Sequence, residues 1–178
     1  VDFNPCSAVK ALREQSKERF LDEEEYGALR DALADRTDLW APAIECIRFI
    51  ALTGCRSGEA TNLTWGRVDW RASLILFDDY GESKGGKGSR GLSPQAMAVL
   101  RRMKAWKPPA SPGKGGPVKA ATPAQIKRCP YVFPSRVGRP LHLRHYWDEV
   151  RRSAGLDDVR IHDLRHSFAS RAIRRGVD

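Results

Sequence analysis

The run Leu39–Thr53 constrains the fold of this chain most. Within helix length it carries Ile44, Ile47, Phe49, Ile50 and Leu52. A helix so rich in apolar side chains has to be buried, so the remaining chain must supply elements that cover it. Gly54 breaks the run.

Helical periodicity flanks this segment on both sides. Asp22 with Glu25 three residues on makes a capping-box-like start, and Leu21, Tyr26, Leu29 and Leu33 follow as a helical stripe. A short helix is predicted from Ser57 to Trp65, showing Ala60 and Leu63 to the core. The period then changes: Val68 and Leu74–Phe77, with glycines nearby, read as short strands, followed by a polar hairpin over Gly81–Gly91. Pro94 opens a helix through Trp106, with Met97, Val99, Leu100 and Met103 inside. Residues 107–128, rich in Pro, Gly and Lys, read as an exposed loop, and Tyr131–Phe133 as a short buried segment. Leu143–Ala154 and His162–Arg175 are the last two predicted helices, the latter with Leu164, Phe168, Ala169 and Ile173 on its core face. The fold class is therefore mainly α with a small antiparallel β-sheet, an α+β domain. Residues 1–20, with Asn4-Pro5 and a charged stretch from Lys10 to Arg19, read as a linker, leaving 21–178 as the domain.

Bulk properties narrow the partners. The net charge is +9, unevenly distributed. Residues 1–60 hold 8 Lys and Arg against 12 Asp and Glu, whereas residues 61–178 hold 23 against 10. The second part suits a polyanion, with steep salt dependence. No apolar run reaches the roughly 18 residues of a membrane span, and no signal-peptide pattern opens the sequence. Cys6, Cys46, Cys55 and Cys129 show no CxxC spacing and read as reduced thiols in a cytosolic setting.

Three segments carry candidate chemistry. In His162-Asp-Leu-Arg-His-Ser-Phe-Ala-Ser170 the helical spacing sends His162 and Arg165 to one side. A titratable imidazole moves a proton, and a guanidinium holds a phosphate oxygen. In Thr53-Gly-Cys-Arg-Ser-Gly-Glu-Ala60, Arg56 sits between two helices, and Gly54 and Gly58 allow close approach of a ligand. A helix N-terminus attracts phosphate, and Glu59 is placed to orient Arg56 or a nearby histidine. Taken alone, Arg56 reads first as a surface arginine at a helix start paired with Glu59. In Ser83-Lys-Gly-Gly-Lys-Gly-Ser-Arg90, Lys84 on a Gly-rich hairpin has the reach of a general acid, or is an ordinary solvated lysine. His162 and His166 also have the i, i+4 spacing of a helical zinc pair. The residue after the first is Asp163 rather than Glu and no third ligand is evident, so no metal is expected.

In this order and spacing the three segments resemble the catalytic domain of the tyrosine recombinases, the phage-integrase family. The resemblance runs from about Leu21 to the end. It implies that Arg56 and Glu59 are the first catalytic arginine and its acidic companion, and that Lys84, rather than Lys87, protonates the leaving oxygen. His162 then exchanges a proton with the nucleophile, and Arg165 joins Arg56 on the non-bridging oxygens. Two guanidiniums suit a pentacovalent phosphorane, whose equatorial charge exceeds that of the diester. Lys87 and Arg90 are expected to meet DNA, Arg90 at the phosphate backbone. His166 reads as a packing or hydrogen-bonded residue.

The resemblance further implies site-specific DNA recombination or integration through a 3′-phosphotyrosine intermediate, with no cofactor and double-stranded DNA as partner. A tetramer on two DNA sites, no membrane, and a bacterial cytoplasmic, nucleoid-associated setting go with it. The family's nucleophilic tyrosine follows the His-x-x-Arg helix, whereas Tyr26, Tyr80, Tyr131 and Tyr146 all precede His162. The 178-residue chain is therefore expected to be a catalytic domain lacking its C-terminal part, monomeric and inactive by itself. The alternatives are a catalytically dead DNA-binding remnant, and a metal-independent phosphodiesterase using His162, Arg56 and Arg165.

Overall fold

A computed structural model describes residues 19–77, 88–109, 121–174 and 176. Its elements, in chain order, are α1 (Glu23–Asp35), α2 (Ala41–Thr53), α3 (Ser57–Thr61), a 3-10 turn (Trp65–Arg67), β1 (Val68–Asp69), β2 (Leu74–Phe77), β3 (Gly88–Gly91), α4 (Pro94–Ala105), α5 (Pro123–Arg128), α6 (Arg144–Ser153) and α7 (Ile161–Arg174). The three strands form one antiparallel sheet in the order β1-β2-β3. The architecture is mainly helical with a small sheet, as the periodicities predict. Among the described residues no helix is long and apolar enough to cross a membrane.

The apolar run becomes the central helix. Pro42 sits in the first turn of α2, where its missing N–H costs nothing. Ala43, Ile44, Cys46, Ile47, Phe49 and Ile50 are all buried. Helices α1, α3, α4, α6 and α7 each pack against it. Phe49 meets Phe133 with ring centroids 5.5 Å apart, which brings the Tyr131–Phe133 segment into the core. Each buried indole finds an acceptor: Trp40 donates to the Pro134 carbonyl at 2.7 Å and Trp147 to that of Val159 at 3.2 Å. Cys46 and Cys55 are buried free thiols, and burial pushes both of their pKa values up.

Helix ends follow the local sequence. At α1, Asp22 accepts from the Glu25 N–H at 2.8 Å while Glu25 accepts from the Asp22 N–H at 3.0 Å, the reciprocal box the spacing predicts. Glu25 also binds Arg19, which reaches Asp158 at 2.8 Å. The Arg19 hydrogen bond holds the Glu25 carboxyl below the ordinary glutamate range. Helix α4 starts with Ser93 accepting from the Ala96 N–H.

Three expectations need correction. Helix α3 ends at Thr61 rather than running to Trp65. Residues 107–128 are not all loop, because Pro123–Arg128 form α5. Six residues are too few to show a period, but the start was legible in the terminal chemistry: Thr122 accepts from the Gln125 N–H, Gln125 accepts from the Thr122 N–H, and Pro123 is the first helical residue. Ile126 anchors this helix in the core. On α7, Leu164 is fully buried and Phe168 partly buried, but Ala169 is exposed and Ile173 is 76% exposed. The apolar face of α7 contacts the core only along its first turns.

Gly54 joins α2 to α3. It closes α2 in the left-handed region at φ +63°, with its N–H on the Ile50 carbonyl at 2.9 Å. A Cβ added here would lie 2.5 Å from Cδ1 of Phe168 on α7. The conformation and the close approach both call for glycine. Gly54→Ala should therefore destabilise the fold by about 2–4 kcal/mol, from left-handed strain together with overpacking. Urea unfolding monitored by circular dichroism measures this, and a change within about 0.5 kcal/mol would show that Phe168 yields freely.

Candidate active site

The candidate residues gather where the C-terminus of α2 meets α3, α7 and β3. Unpaired carbonyls at a helix C-terminus carry partial negative charge, and here two of them accept from arginines distant in sequence. Arg165 on α7 donates to the Gly54 carbonyl at 2.7 Å, and Arg90 on β3 to the Thr53 carbonyl at 3.4 Å. Thr53 itself is buried, donating from Oγ1 to the Phe49 carbonyl at 2.7 Å and accepting from the Cys55 N–H. The junction is thus braced on both sides of Gly54.

Arg56 caps the N-terminus of α3 with extended backbone. Its N–H is taken by Glu59 Oε2 at 2.7 Å and its Nη1 by Glu59 Oε1 at 3.0 Å. The Glu59 side chain is only 15% exposed, whereas that of Arg56 is 57% exposed. Glu59 therefore holds Arg56 by backbone and side chain together and leaves the guanidinium reachable. Arg90 approaches the same carboxylate, its Nη1 lying 3.7 Å from Oε2. Burial, then the neighbouring Arg90 and Arg56 charges, push the Arg165 pKa down from the usual arginine value, although a guanidinium stays protonated at neutral pH. Arg56 and Arg90 share one carboxylate and Arg165 rests on the Gly54 carbonyl, leaving an excess of positive charge complementary to an anion with several oxygens.

The first turn of α7 is built on Asp163, which is fully buried. Its carboxylate accepts from the Arg160 backbone N–H at 2.8 Å and from the Arg160 guanidinium at 3.0 Å, capping the helix from its third position. Ser167, also buried, donates to the Asp163 carbonyl at 2.7 Å and accepts from the Leu21 N–H at 2.9 Å, tying α7 to the entry of α1. Sequence reasoning passed over Asp163 and Ser167 because both lie between residues with more obvious chemistry. The Arg160–Asp163 spacing was the available signal.

His162 lies one turn before Arg165 on α7 and is exposed. Burial of part of its ring, then the nearby His166 and Arg165 charges, lower its pKa from the ordinary histidine value, so at neutral pH it is a neutral imidazole able to accept a proton. His166 is exposed rather than packed in the core, and its ring meets that of His162 edge-on at a centroid distance of 4.7 Å. Among the described residues no group of three or more His, Cys, Asp or Glu could hold a metal ion. Lys84 and Lys87 lie outside the described residues. Arg56, Glu59, Arg90 and Arg165 are thus brought together, with His162 adjacent on α7.

Comparison with known proteins agrees with this fold. The model of the phage integrase family matches residues 19–178. This chain belongs to the phage integrase family. A comparison with curated proteins gives no match. Among solved structures it is similar to XerA recombinase, with 21% identity and a TM-score of 0.64 over 89% of this chain and 52% of that one. It is similar to the Tn1549 transposon integrase in complex with circular intermediate DNA, with 15% identity and a TM-score of 0.63 over 99% of this chain and 59% of that one. It also resembles XerH site-specific recombinase bound to palindromic difH substrate in a post-cleavage complex, with 19% identity and a TM-score of 0.63 over 90% of this chain and 44% of that one. The chain spans about half the length of these solved proteins.

Two outcomes follow from this geometry. Asp163→Asn should destabilise the protein by about 1–3 kcal/mol, because a buried carboxylate taking backbone and guanidinium donors is replaced by a neutral amide; chemical denaturation measures it. His166→Ala should raise the His162 pKa by removing a like charge, and histidine proton shifts in an NMR titration would read an upward displacement. An unchanged His162 titration would mean that burial alone sets its value.

Proposed function

We propose that this domain is the catalytic core of a site-specific DNA recombinase of integrase type, cutting and rejoining strands through a 3′-phosphotyrosine intermediate. The observation that supports this best is the convergence of Arg56 and Arg165, 109 residues apart in sequence, on the two sides of the Gly54 junction. Two guanidiniums at one point suit the two non-bridging oxygens of a scissile phosphodiester. Their stabilisation grows as the phosphorane forms, because its equatorial charge exceeds that of the diester.

In this reading a tyrosine hydroxyl attacks the phosphorus in line while His162, neutral at working pH, exchanges the proton. The bond to the 5′ oxygen breaks, and Lys84 supplies the proton that converts the leaving oxygen to a 5′-hydroxyl. The phosphate stays esterified to the tyrosine at the 3′ end. A 5′-hydroxyl of the partner strand then attacks the phosphotyrosine, restoring the diester and the free tyrosine. The bond energy is retained throughout, so no nucleotide cofactor enters, and arginine and lysine charges act where a metal would act elsewhere. Glu59 supports Arg56, and Lys87 contacts DNA.

In this reading the nucleophile is a tyrosine C-terminal to the His162–Arg165 box, as the family resemblance implies. Among the described residues Tyr26 lies beneath Arg171 with 4.2 Å to the ring centroid, Tyr146 lies beside His145, and Tyr131 bridges to Thr64. Residues 1–20 would serve as the tether to a preceding DNA-clamping domain, and the full-length protein would act as a tetramer on two double-stranded DNA sites in the bacterial nucleoid.

Arg165→Ala in the full-length protein should lower strand cleavage at least about 100-fold while weakening DNA binding only modestly. Covalent protein–DNA product from a nicked suicide substrate reads the first and fluorescence anisotropy the second. Equal loss of both would recast Arg165 as a binding residue. Turnover of a generic phosphodiester without covalent product would replace the recombinase by a hydrolase.

A further inference from the structure

We propose that Arg90 is a positioning residue of the cleavage site: it holds the Glu59 carboxylate from the sheet side and, through Glu59, fixes the Arg56 guanidinium. This role rests on the recombinase reading above. It differs from the expectation that Arg90 meets backbone phosphate.

Strand register gives the reason. Arg90 pairs directly with Ile75 across the β2–β3 ladder. Directly opposed residues share a sheet face, and Ile75 is fully buried, so Arg90 is directed to the inner face. Phe77, two residues after Ile75, shares that face, and the Arg90 guanidinium carbon lies 5.3 Å from its ring centroid. The strand partner of Phe77 is Gly88, which has no side chain to compete for that space. From there Arg90 reaches the Thr53 carbonyl at 3.4 Å and Glu59 Oε2 at 3.7 Å, with only 27% of its side chain exposed. Its reach is directed at the junction.

Glu59 is the shared element. Oε1 takes the Arg56 guanidinium, while Oε2 faces both the Arg56 N–H and Arg90. A carboxylate restrained on both oxygens cannot rotate away from Arg56. Arg56 has a 57% exposed side chain and no other carboxylate among its described ion pairs, so it depends on this restraint for its place. Small displacements of a phosphate-binding group have large effects on rate.

The experiment uses the full-length protein, a nicked suicide substrate and DNA affinity measured over a range of salt. Arg90→Gln is expected to slow covalent-product formation by about 10–100-fold and to leave the slope of log Kd against log salt unchanged. In a Glu59→Gln background the same change should add little, because the carboxylate through which Arg90 acts is already gone. Arg90→Lys should recover part of the rate, and if Arg90→Gln does not fold, Arg90→Lys carries the test, with slower cleavage at an unchanged salt slope. A slope reduced by about one would overturn the proposal in favour of direct phosphate contact. Multiplicative losses in the Glu59→Gln background would overturn it as well. A wild-type protein that forms no covalent product would sink the recombinase reading and this role with it, an outcome distinct from a failure confined to the Arg90 variants.

Discussion

The C-terminus of α2 is the constraint on which the rest of this structure depends. A central apolar helix has to stop somewhere, and its last carbonyls need donors. Gly54 turns the chain through the left-handed region, Phe168 packs against its bare Cα, and Arg165 and Arg90 take the Gly54 and Thr53 carbonyls. One junction thereby caps α2, starts α3 and seats α7. The same contacts that finish the helix concentrate guanidiniums at one point.

Those guanidiniums are tolerated because their surroundings are graded. Glu59, mostly buried, balances Arg56 and Arg90, while Arg165 rests on a carbonyl and is partly desolvated. The cluster has more positive charge than its single carboxylate offsets, which suits a ligand carrying negative charge on several oxygens. Helix α7 then places His162 one turn from Arg165, and Asp163 and Ser167, buried beneath, hold that turn to Arg160 and to the entry of α1. Arg56 and His162 are exposed and Arg165 is partly buried, whereas Asp163 and Ser167 beneath them are buried.

Much of the fold was legible because its signals are local. The stripe of α1, the apolar α2, the Asp22–Glu25 box and the buried face of α4 each depend on residues within a few turns, and each appears as read. Helix α5 was hidden in a stretch whose composition suggests a loop, and only its Thr122–Gln125 cap marked it. The far end of α7 was misread because helical periodicity shows which residues share a face but not how far along that face a neighbour extends, so Ala169 and Ile173 appeared to belong to the core.

By itself, then, the sequence determined most of the helices and the small sheet, because propensity, capping and spacing act over a few residues. Only the tertiary structure decided the use of individual side chains. That Arg90 points inward depends on its pairing with Ile75, and strand register cannot be read from a hairpin of unassigned turn length. That Gly54 must be glycine depends on Phe168, more than a hundred residues away. The sharing of Glu59 by Arg56 and Arg90 exists only after α3 and β3 meet. Contacts between residues distant in sequence depend on packing geometry, and packing geometry leaves no local pattern.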